Sequence, residues 1–354
     1  MTNGEWRFRM RDEGRRAKGA AMVRFVSRRF GHHGEHTGYW LLAARWPGNQ
    51  RTTILPGSGE LVGPAWAGPV EARLVAVARA LTKCMLGAAA SFGHVRVLHV
   101  LYGENDLPIP RFPGSCRIVT TLHQPASFLG RDSRRVQWLR HRLRNVDLIV
   151  ALSSEQSAFV QSVVPDKQCV FVPHGVDTDF FNSRGFSRGN TILISAGWLR
   201  DMDFARDVAR HAVAIDPSVT VRVFGNNATQ LAGVSSRVQI MSHLNDEELR
   251  REYSSCAVML LPLLGTVANN ALLEALSCGT SIVAPDLPAT VEYLGENGTY
   301  YARTSSAEDV AELLCSLVEE NSQRPRQGLR ERALSYDWSR IVPQMASAYE
   351  SICG

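Results

Sequence analysis

The sequence predicts an α/β protein built from two parallel-sheet domains that face each other across a cleft. Short apolar runs alternate with longer segments of helical periodicity, and this alternation is typical of βαβ units. The pattern stops once, at a stretch from residue 182 to residue 190 that contains Gly185 and Gly189, and then begins again. A chain of 354 residues is long enough for two such domains.

The first array of strands is expected between residues 22 and 181. Its apolar runs lie at residues 22–26, 95–100, 117–122, 147–151 and 169–172. Residues 1–21, which precede it, are polar, rich in arginine and aperiodic, so we expect a disordered basic tail there. Residues 182–190 then form the expected linker.

The second array is expected between residues 191 and 337. Its apolar runs lie at residues 191–195, 220–224, 238–240, 258–261 and 281–284. Residues 338–354 carry apolar side chains at helical spacing, which predicts a C-terminal helix that closes the structure. Two arrays of this kind predict two Rossmann-like domains, in which ligands lie beyond the carboxyl ends of the strands.

Charge and cysteine usage narrow the classes of protein. The formal net charge is +5, but residues 1–30 contribute +6, so the remainder is nearly neutral and does not suit a wholly basic nucleic-acid binder. The seven cysteines are scattered and lack metal-ligand spacing, which indicates reduced thiols in the cytoplasm and no structural zinc site. No apolar run reaches the ~18 residues of a membrane span, and the first residues lack the pattern of a secretory signal.

The segment from residue 260 to residue 283 carries the strongest chemical signal. It predicts a strand, a polar loop, a short helix capped by an asparagine and ended by Gly279, and a further strand. The free amides at such a helix N-terminus suit a diphosphate, and Glu274, one turn into the helix, could accept hydrogen bonds from ribose hydroxyls. The alternative interpretation is an ordinary βαβ unit with an exposed glutamate.

Residues 266–275, Thr-Val-Ala-Asn-Asn-Ala-Leu-Leu-Glu-Ala, resemble the donor-binding segment of family-4 retaining glycosyltransferases with the GT-B fold, in a subgroup with a TxANNxLLEA motif. Members commonly carry Glu-x7-Glu; Glu274 occupies the second position and Thr266 the first. The resemblance implies transfer of a hexose-type sugar from a nucleotide-diphosphate sugar to a glycan, lipid-linked or small-molecule acceptor. It further implies retention of configuration, no catalytic metal and no cofactor besides the donor substrate.

The resemblance places the donor on the second domain. Arg200 would bind the diphosphate, since a guanidinium binds phosphate through two hydrogen bonds; a solvated arginine at a helix start is the alternative. The lysine that relatives carry nearby is missing, and Arg206 is the nearest basic candidate. The implied donor-binding residues are Gly197, Arg200, Asn226, Leu244, Thr266, Asn269, Asn270, Ala271 and Glu274.

On the first domain, His123 follows an expected strand and matches the cleft histidine that contacts the transferred sugar in the family. The resemblance thus makes His123, Glu274 and Arg200 the implied catalytic residues. The residues implied to contact sugar and acceptor are His36, Thr37, Gly38, Tyr39, Tyr102, Glu104 and His174. A metal site in the histidine-rich loop from residue 31 to residue 39 is disfavoured, because a flexible glycine loop is a poor set of metal ligands.

Residues 131–144 contain six arginines and Trp138 at helix-compatible spacing. Such a helix could lie on anionic lipid, as a peripheral contact at the inner face of the membrane, or bind an anionic acceptor. It could equally be a solvated helix with Trp138, Leu139 and Leu143 turned inward. Two other functions stay open: a catalytically silent GT-B subunit that binds nucleotide sugar, and a GT-B nucleotide-sugar epimerase.

Overall fold

The structure, a computed structural model, describes residues 22–28, 30, 34–48, 50–55, 69–92, 95–111, 116–241, 243–323 and 328–353. Within these ranges the chain forms two six-stranded parallel sheets covered by helices. The α/β class and the two-sheet architecture predicted from the sequence are therefore confirmed. The expected basic tail, residues 1–21, lies outside the described residues.

The first sheet has the strand order β2-β1-β3-β4-β5-β6. Its strands are β1 Met22–Ser27, β2 Gln50–Ile54, β3 Val95–Val100, β4 Arg117–Thr121, β5 Leu148–Ala151 and β6 Gln168–Phe171. Its helices are α1 Leu41–Ala44, α2 Pro69–Phe92, α3 Gly103–Asp106, α4 Ala126–Leu129, α5 Ser133–Leu143 and α6 Ser154–Val163. Strand β2 was not predicted, because it is a polar, largely exposed edge strand and so lacks the apolar run that marks the others.

The second sheet has the strand order β12-β11-β10-β7-β8-β9. Its strands are β7 Gly189–Ser195, β8 Thr220–Phe224, β9 Val238–Met241, β10 Cys256–Leu260, β11 Ser281–Pro285 and β12 Thr299–Tyr301. The helices that follow β7 are α7 Met202–Ile215, α8 Asp246–Ser255, α9 Asn270–Ser277, α10 Pro288–Leu294, α11 Ala307–Gln323, α12 Leu329–Leu334 and α13 Trp338–Cys353, with 3-10 turns at Ala228–Leu231 and Gly295–Asn297. Strand β7 begins at Gly189, inside the stretch expected to be a linker.

Helix α13 coincides with the helix expected at the C-terminus, and it packs on the first sheet rather than on the second. Its side chains Trp338, Ile341 and Met345 share one apolar core with Val23 and Phe25 of β1. The chain therefore returns to its starting half after completing the second sheet. None of the helices in the described ranges is long and apolar enough to cross a membrane.

Each sheet reverses its winding direction next to its first strand. The reversal lies between β1 and β3 in the first sheet and between β7 and β10 in the second. In parallel α/β sheets, ligands bind at the carboxyl ends of the strands that flank such a reversal. A ligand site is therefore expected at the loops that begin after β1, β3, β7 and β10.

Candidate active site

The loops after β7 and β10 are tied together by their backbones. The N–H of Asp201 donates to the carbonyl oxygen of Pro262 at 2.8 Å, and the N–H of Leu264 donates to that of Leu199 at 2.9 Å. Arg200 and Leu263 form an isolated antiparallel bridge at the same place. Arg200 is thus held beside the loop that leads into α9.

Arg200 has no counterion among the described residues. Its Nε is buried and has no hydrogen-bond partner, and its Nη1 donates to the carbonyl oxygen of Trp198 at 3.2 Å. Burial lowers the pKa of Arg200 to about 10. No carboxylate of the described chain lies within ion-pair distance of its guanidinium. Because a desolvated charge is costly unless it is paired, this position favours an anionic ligand.

Helix α9 begins as the sequence predicts. Asn269 has the extended backbone of an N-cap residue, and its side chain accepts a hydrogen bond from the N–H of Leu272 at 3.2 Å. The helix ends before Gly279, whose φ of +68° favours glycine. The N-terminus of α9 therefore presents Asn270 and Ala271 at the carboxyl edge of the second sheet.

Glu274 lies on the buried face of α9, so the alternative of an exposed glutamate is wrong. Its side chain is 4% exposed and accepts a hydrogen bond from the Tyr253 hydroxyl at 3.1 Å. Burial raises the pKa of Glu274 to about 8. A cavity of about 10 Å³, room for a single water molecule, lies beside it and is lined by both halves of the chain, including His36, Gly38 and Asn270.

Two glycines with positive φ follow strands β7 and β8. Gly197 has a φ of +149°, and no atom lies within 4 Å of the position that a Cβ would occupy. Gly225 has a φ of +108°, and a Cβ there would lie 2.2 Å from the carbonyl oxygen of Ala196. Of the other implied donor residues, Asn226 is exposed, and Leu244 and Thr266 are half-buried, after β8, β9 and β10 respectively.

His123 is fixed by the loop after β3. Its Nε2 lies 2.7 Å from the carbonyl oxygen of Leu101, so Nε2 donates the proton. Its backbone N–H donates to Oε1 of Glu104 at 2.5 Å, and the N–H of Gln124 donates to the same atom at 2.7 Å. Glu104 is buried, and burial raises its pKa. Glu104 thus anchors the backbone of the His123 loop, and its implied contact with the acceptor stays a prediction.

Three aromatic residues implied to contact sugar or acceptor lie beneath the cleft surface. The Tyr39 side chain is buried, and its hydroxyl accepts a hydrogen bond from Thr121 at 3.1 Å. Its ring centroid lies 4.9 Å from that of His123 and 5.0 Å from that of His174, and Tyr102 stacks on His123 at 4.7 Å. In the structure Tyr39 and Tyr102 pack against the His123 ring, and the contact of these side chains with sugar or acceptor stays a prediction.

The loop after β1 reaches the other half of the chain. The N–H of His36 and the hydroxyl of Thr37 donate to the two carboxylate oxygens of Asp246 at 2.7 and 3.1 Å. The His36 ring stacks on Phe180 at 3.7 Å, and its Nδ1 lies 2.8 Å from Asp177. Asp246 was missed in the sequence because its only local signal is that of a helix N-terminus. His32 and His33 lie outside the described residues.

Two basic features have surface roles in the structure. Arg206, the candidate for the missing lysine, donates to Asp203 at 2.7 Å and to the carbonyl oxygen of Gln230 at 3.0 Å. In α5, Leu139 and Leu143 are buried and Trp138 is half-buried. The inward-turned alternative is therefore the one observed, and α5 exposes no large apolar side chain for a membrane contact.

Solved structures share this architecture over nearly the whole chain. Sucrose-phosphate synthase from Thermosynechococcus elongatus superposes with a TM-score of 0.68 at 16% identity, covering 94% of this chain and 99% of that one. HepE of Anabaena, in complex with UDP and glucose, gives a TM-score of 0.69 at 11% identity, covering 94% and 100%. The fold is GT-B.

Sequence comparison adds a family match to the GT-B fold. Residues 192–320 match the family described as Glycosyl transferases group 1. The MMP alpha-(1->4)-mannosyltransferase of Mycolicibacterium hassiacum is 29% identical over 221 residues, covering 57% of this chain and 53% of that protein. The GDP-mannose:glycolipid 4-beta-D-mannosyltransferase of Xanthomonas campestris pv. campestris is 25% identical, covering 63% and 65%.

These similarities cover parts of the relatives. The chain spans about half the length of the first curated relatives that it matches. The family match falls on the GT-B half that holds Arg200, Asn269 and Glu274. Membership of the narrower TxANNxLLEA subgroup stays a prediction.

Proposed function

We propose that the chain is a retaining glycosyltransferase that moves a hexose from a nucleotide-diphosphate sugar to an acceptor. The observation that carries the proposal is Arg200, whose Nε is buried, which has no counterion among the described residues, and which is held beside the loop that leads into α9. Guanidinium and helix N-terminus together form a site for a doubly charged group such as a diphosphate. The family match of residues 192–320 supports this choice of ligand.

In this proposal the donor lies at the carboxyl edge of the second sheet. The diphosphate lies between Arg200 and Asn270, and the ribose hydroxyls donate to Glu274, whose carboxyl group also accepts a hydrogen bond from Tyr253. The loop at Gly197 has space for the closest backbone approach. The hexose projects toward His123. The Nε2–H of His123 donates to the carbonyl oxygen of Leu101, and Nδ1 is the other polar atom of the ring.

The chemistry follows from the charge that develops when the bond from sugar to diphosphate breaks. Negative charge accumulates on the leaving diphosphate, and Arg200 with the α9 N-terminus stabilises it from fixed positions. Donors that are oriented before the reaction stabilise a transition state without reorganisation, and loss of one commonly costs about a hundredfold or more in rate. No metal ion is required for this role in the proposal.

The first donor to test is GDP-mannose, since the relatives reported above are named as mannosyltransferases. Release of nucleoside diphosphate is measured with a panel of GDP, UDP, ADP and dTDP hexoses, for the wild type, Arg200→Ala and Arg206→Ala. Arg206 lies on the same half and pairs with Asp203 at the surface, so its variant controls for loss of charge.

We expect one nucleotide class to react, with Arg200→Ala at least about a hundredfold slower and Arg206→Ala close to wild type. Equal rates for the wild type and Arg200→Ala would sink the site assignment. Nucleotide binding without release of diphosphate across a broad acceptor panel would instead favour the silent binding subunit.

A further inference from the structure

Four basic side chains of the first half belong to one electrostatic group with a single carboxylate, which two of them contact, and we name the four the basic cluster: Arg28, Arg79, Lys83 and Arg142. The carboxylate is Asp106, which is fully buried at the end of α3. Arg28 Nε and Nη2 lie 3.2 and 3.1 Å from its Oδ1, and Arg79 Nη2 contacts the same atom. Asp106 is therefore already shared by two guanidinium groups.

Lys83 and Arg142 belong to the cluster but have no carboxylate of their own. Among the residues that the structure describes, no hydrogen bond or ion pair joins either charge to an acceptor, and the Arg142 guanidinium lies 5.1 Å from the centre of the Trp138 ring. Burial and the charges of Arg79, Arg142 and Arg28 lower the pKa of Lys83 to about 8. Burial and Arg79 also lower the pKa of Arg142.

The cluster is thus short of negative charge. Nε of Arg79 is buried without a partner, in addition to the unpaired groups of Lys83 and Arg142. Half-buried like charges repel each other and are desolvated, so their proximity is unfavourable unless an anion joins them. Phosphate fits such a group, because a guanidinium binds it through two hydrogen bonds and an ammonium binds it as a point charge.

The position of the cluster connects it to the cleft. Arg28 directly follows β1, at the edge where the first sheet reverses its winding. Helix α3 supplies both Asp106 and Glu104, and Glu104 holds the backbone of His123. The basic cluster therefore belongs to the half opposite the donor half, and α3 connects it to the loop of His123.

We propose that the basic cluster is a subsite for a phosphate group of the acceptor. The inference rests on the proposed glycosyltransferase function and narrows it, because it assigns the acceptor to the phosphomonoesters or phosphodiesters. The same chemistry is offered by a soluble sugar or polyol phosphate and by a phospholipid headgroup.

The first experiment measures thermal unfolding of the full chain in sodium phosphate and in sodium chloride of equal ionic strength. The variants are Lys83→Gln and, as a control, Arg134→Gln, which removes the same charge from an exposed position of α5 outside the cluster. Phosphate should stabilise the wild type and Arg134→Gln alike, whereas Lys83→Gln should bind phosphate about tenfold more weakly. In chloride, the unfolding temperature of Lys83→Gln should be no lower than that of the wild type, because the substitution relieves repulsion between like charges.

Each of three results overturns the subsite: phosphate fails to raise the unfolding temperature of the wild type above that in chloride, it stabilises the wild type and Lys83→Gln equally, or Lys83→Gln and Arg134→Gln lose the same amount of phosphate affinity. A lower unfolding temperature of Lys83→Gln in chloride identifies an ordinary structural ion pair and overturns it as well. Binding of nucleoside diphosphate is measured in parallel. Its absence counts against the proposed function, whereas the phosphate series tests the subsite alone.

A second experiment distinguishes the two sources of phosphate. If glycerol 3-phosphate raises the unfolding temperature saturably, glycerol does not, and Lys83→Gln abolishes the effect, the acceptor is a soluble phosphate ester. If the wild type but not Lys83→Gln sediments with phosphatidylglycerol vesicles, and glycerol 3-phosphate does not raise the unfolding temperature, the phosphate belongs to a lipid headgroup. If neither probe binds in a way that depends on Lys83, the subsite is rejected.

Discussion

At the scale of single residues, the donor side holds two ionisable groups in surroundings that disfavour their charge. Arg200 is half-buried, with a buried Nε and no counterion among the described residues, and Glu274 is buried and accepts a hydrogen bond from Tyr253. A nucleotide that offers an anion to Arg200 and hydroxyl donors to Glu274 would offset the desolvation of both side chains. Ionisable groups perturbed in this way cluster at functional sites.

Glu274 should give the protein a measurable dependence of stability on pH. Between the ordinary carboxyl pKa of 4.5 and the raised pKa of about 8, the folded protein holds a proton that the unfolded protein has released. The free energy of unfolding should therefore fall as the pH rises through this window, by at most about 1.4 kcal/mol per pH unit.

The variant Glu274→Gln removes this titration and should gain stability relative to the wild type between pH 5 and pH 8. Urea unfolding of both proteins at the two pH values measures the difference. A stability difference that is identical at pH 5 and pH 8 would show that Glu274 is not buried in its protonated form.

The residues most easily read from the sequence are those whose role is local. Asn269 caps α9 and Gly279 follows its end as predicted, because capping depends on a few neighbouring residues. The burial of Tyr39 and Glu104 could not be predicted, because it depends on elements distant in the chain: Tyr39 packs against Trp338, and Glu104 binds the N–H of His123. The contact of Thr37 with Asp246 joins residues 209 positions apart and leaves no sequence pattern.

At the scale of elements, α9 combines a structural cap with a ligand-binding end, and substitutions of Asn269 separate the two. Asn269→Ala removes the hydrogen bond to Leu272 and should lower the free energy of unfolding by about 1 kcal/mol. Asn269→Ser and Asn269→Asp both preserve a capping oxygen, so both should retain most of the stability.

The two capped variants should differ in nucleotide binding, because the aspartate places a negative charge beside the diphosphate. We expect Asn269→Asp to bind a nucleoside diphosphate about tenfold more weakly than Asn269→Ser, measured by calorimetry. Equal affinities for the two variants would place the diphosphate away from the N-terminus of α9.

At the scale of the whole molecule, the structure is a closed arrangement of the two halves. Trp198 and Phe128 meet across the cleft with ring centroids 5.3 Å apart, and the backbone N–H of Ser154 donates to Glu292 at 2.9 Å. The cavity beside Glu274 holds about 10 Å³, far less than a nucleotide sugar occupies. A ribose beside Glu274 therefore requires more room than this arrangement leaves, which separation of the halves would provide, as lids and domains do in many enzymes.

Asp246 is the carboxylate that ties the loop after β1 to the second half, so Asp246→Ala should favour opening. We expect hydrogen exchange in residues 34–38 to become about tenfold faster, since two hydrogen bonds to a charged group are lost. Asp207→Ala, which removes a surface pair with Arg210, is the control and should leave this segment unchanged. Unchanged exchange in Asp246→Ala would mean that other contacts hold the halves together.

The central claim is that the guanidinium of Arg200, which has no counterion among the described residues, binds the diphosphate of a nucleotide donor, and calorimetry tests it most directly. A nucleoside diphosphate of the reacting class is titrated into the wild type, Arg200→Ala and Arg206→Ala. We predict saturable binding to the wild type and Arg206→Ala, and at least tenfold weaker binding to Arg200→Ala without loss of folding. Wild-type affinity in Arg200→Ala would contradict the account.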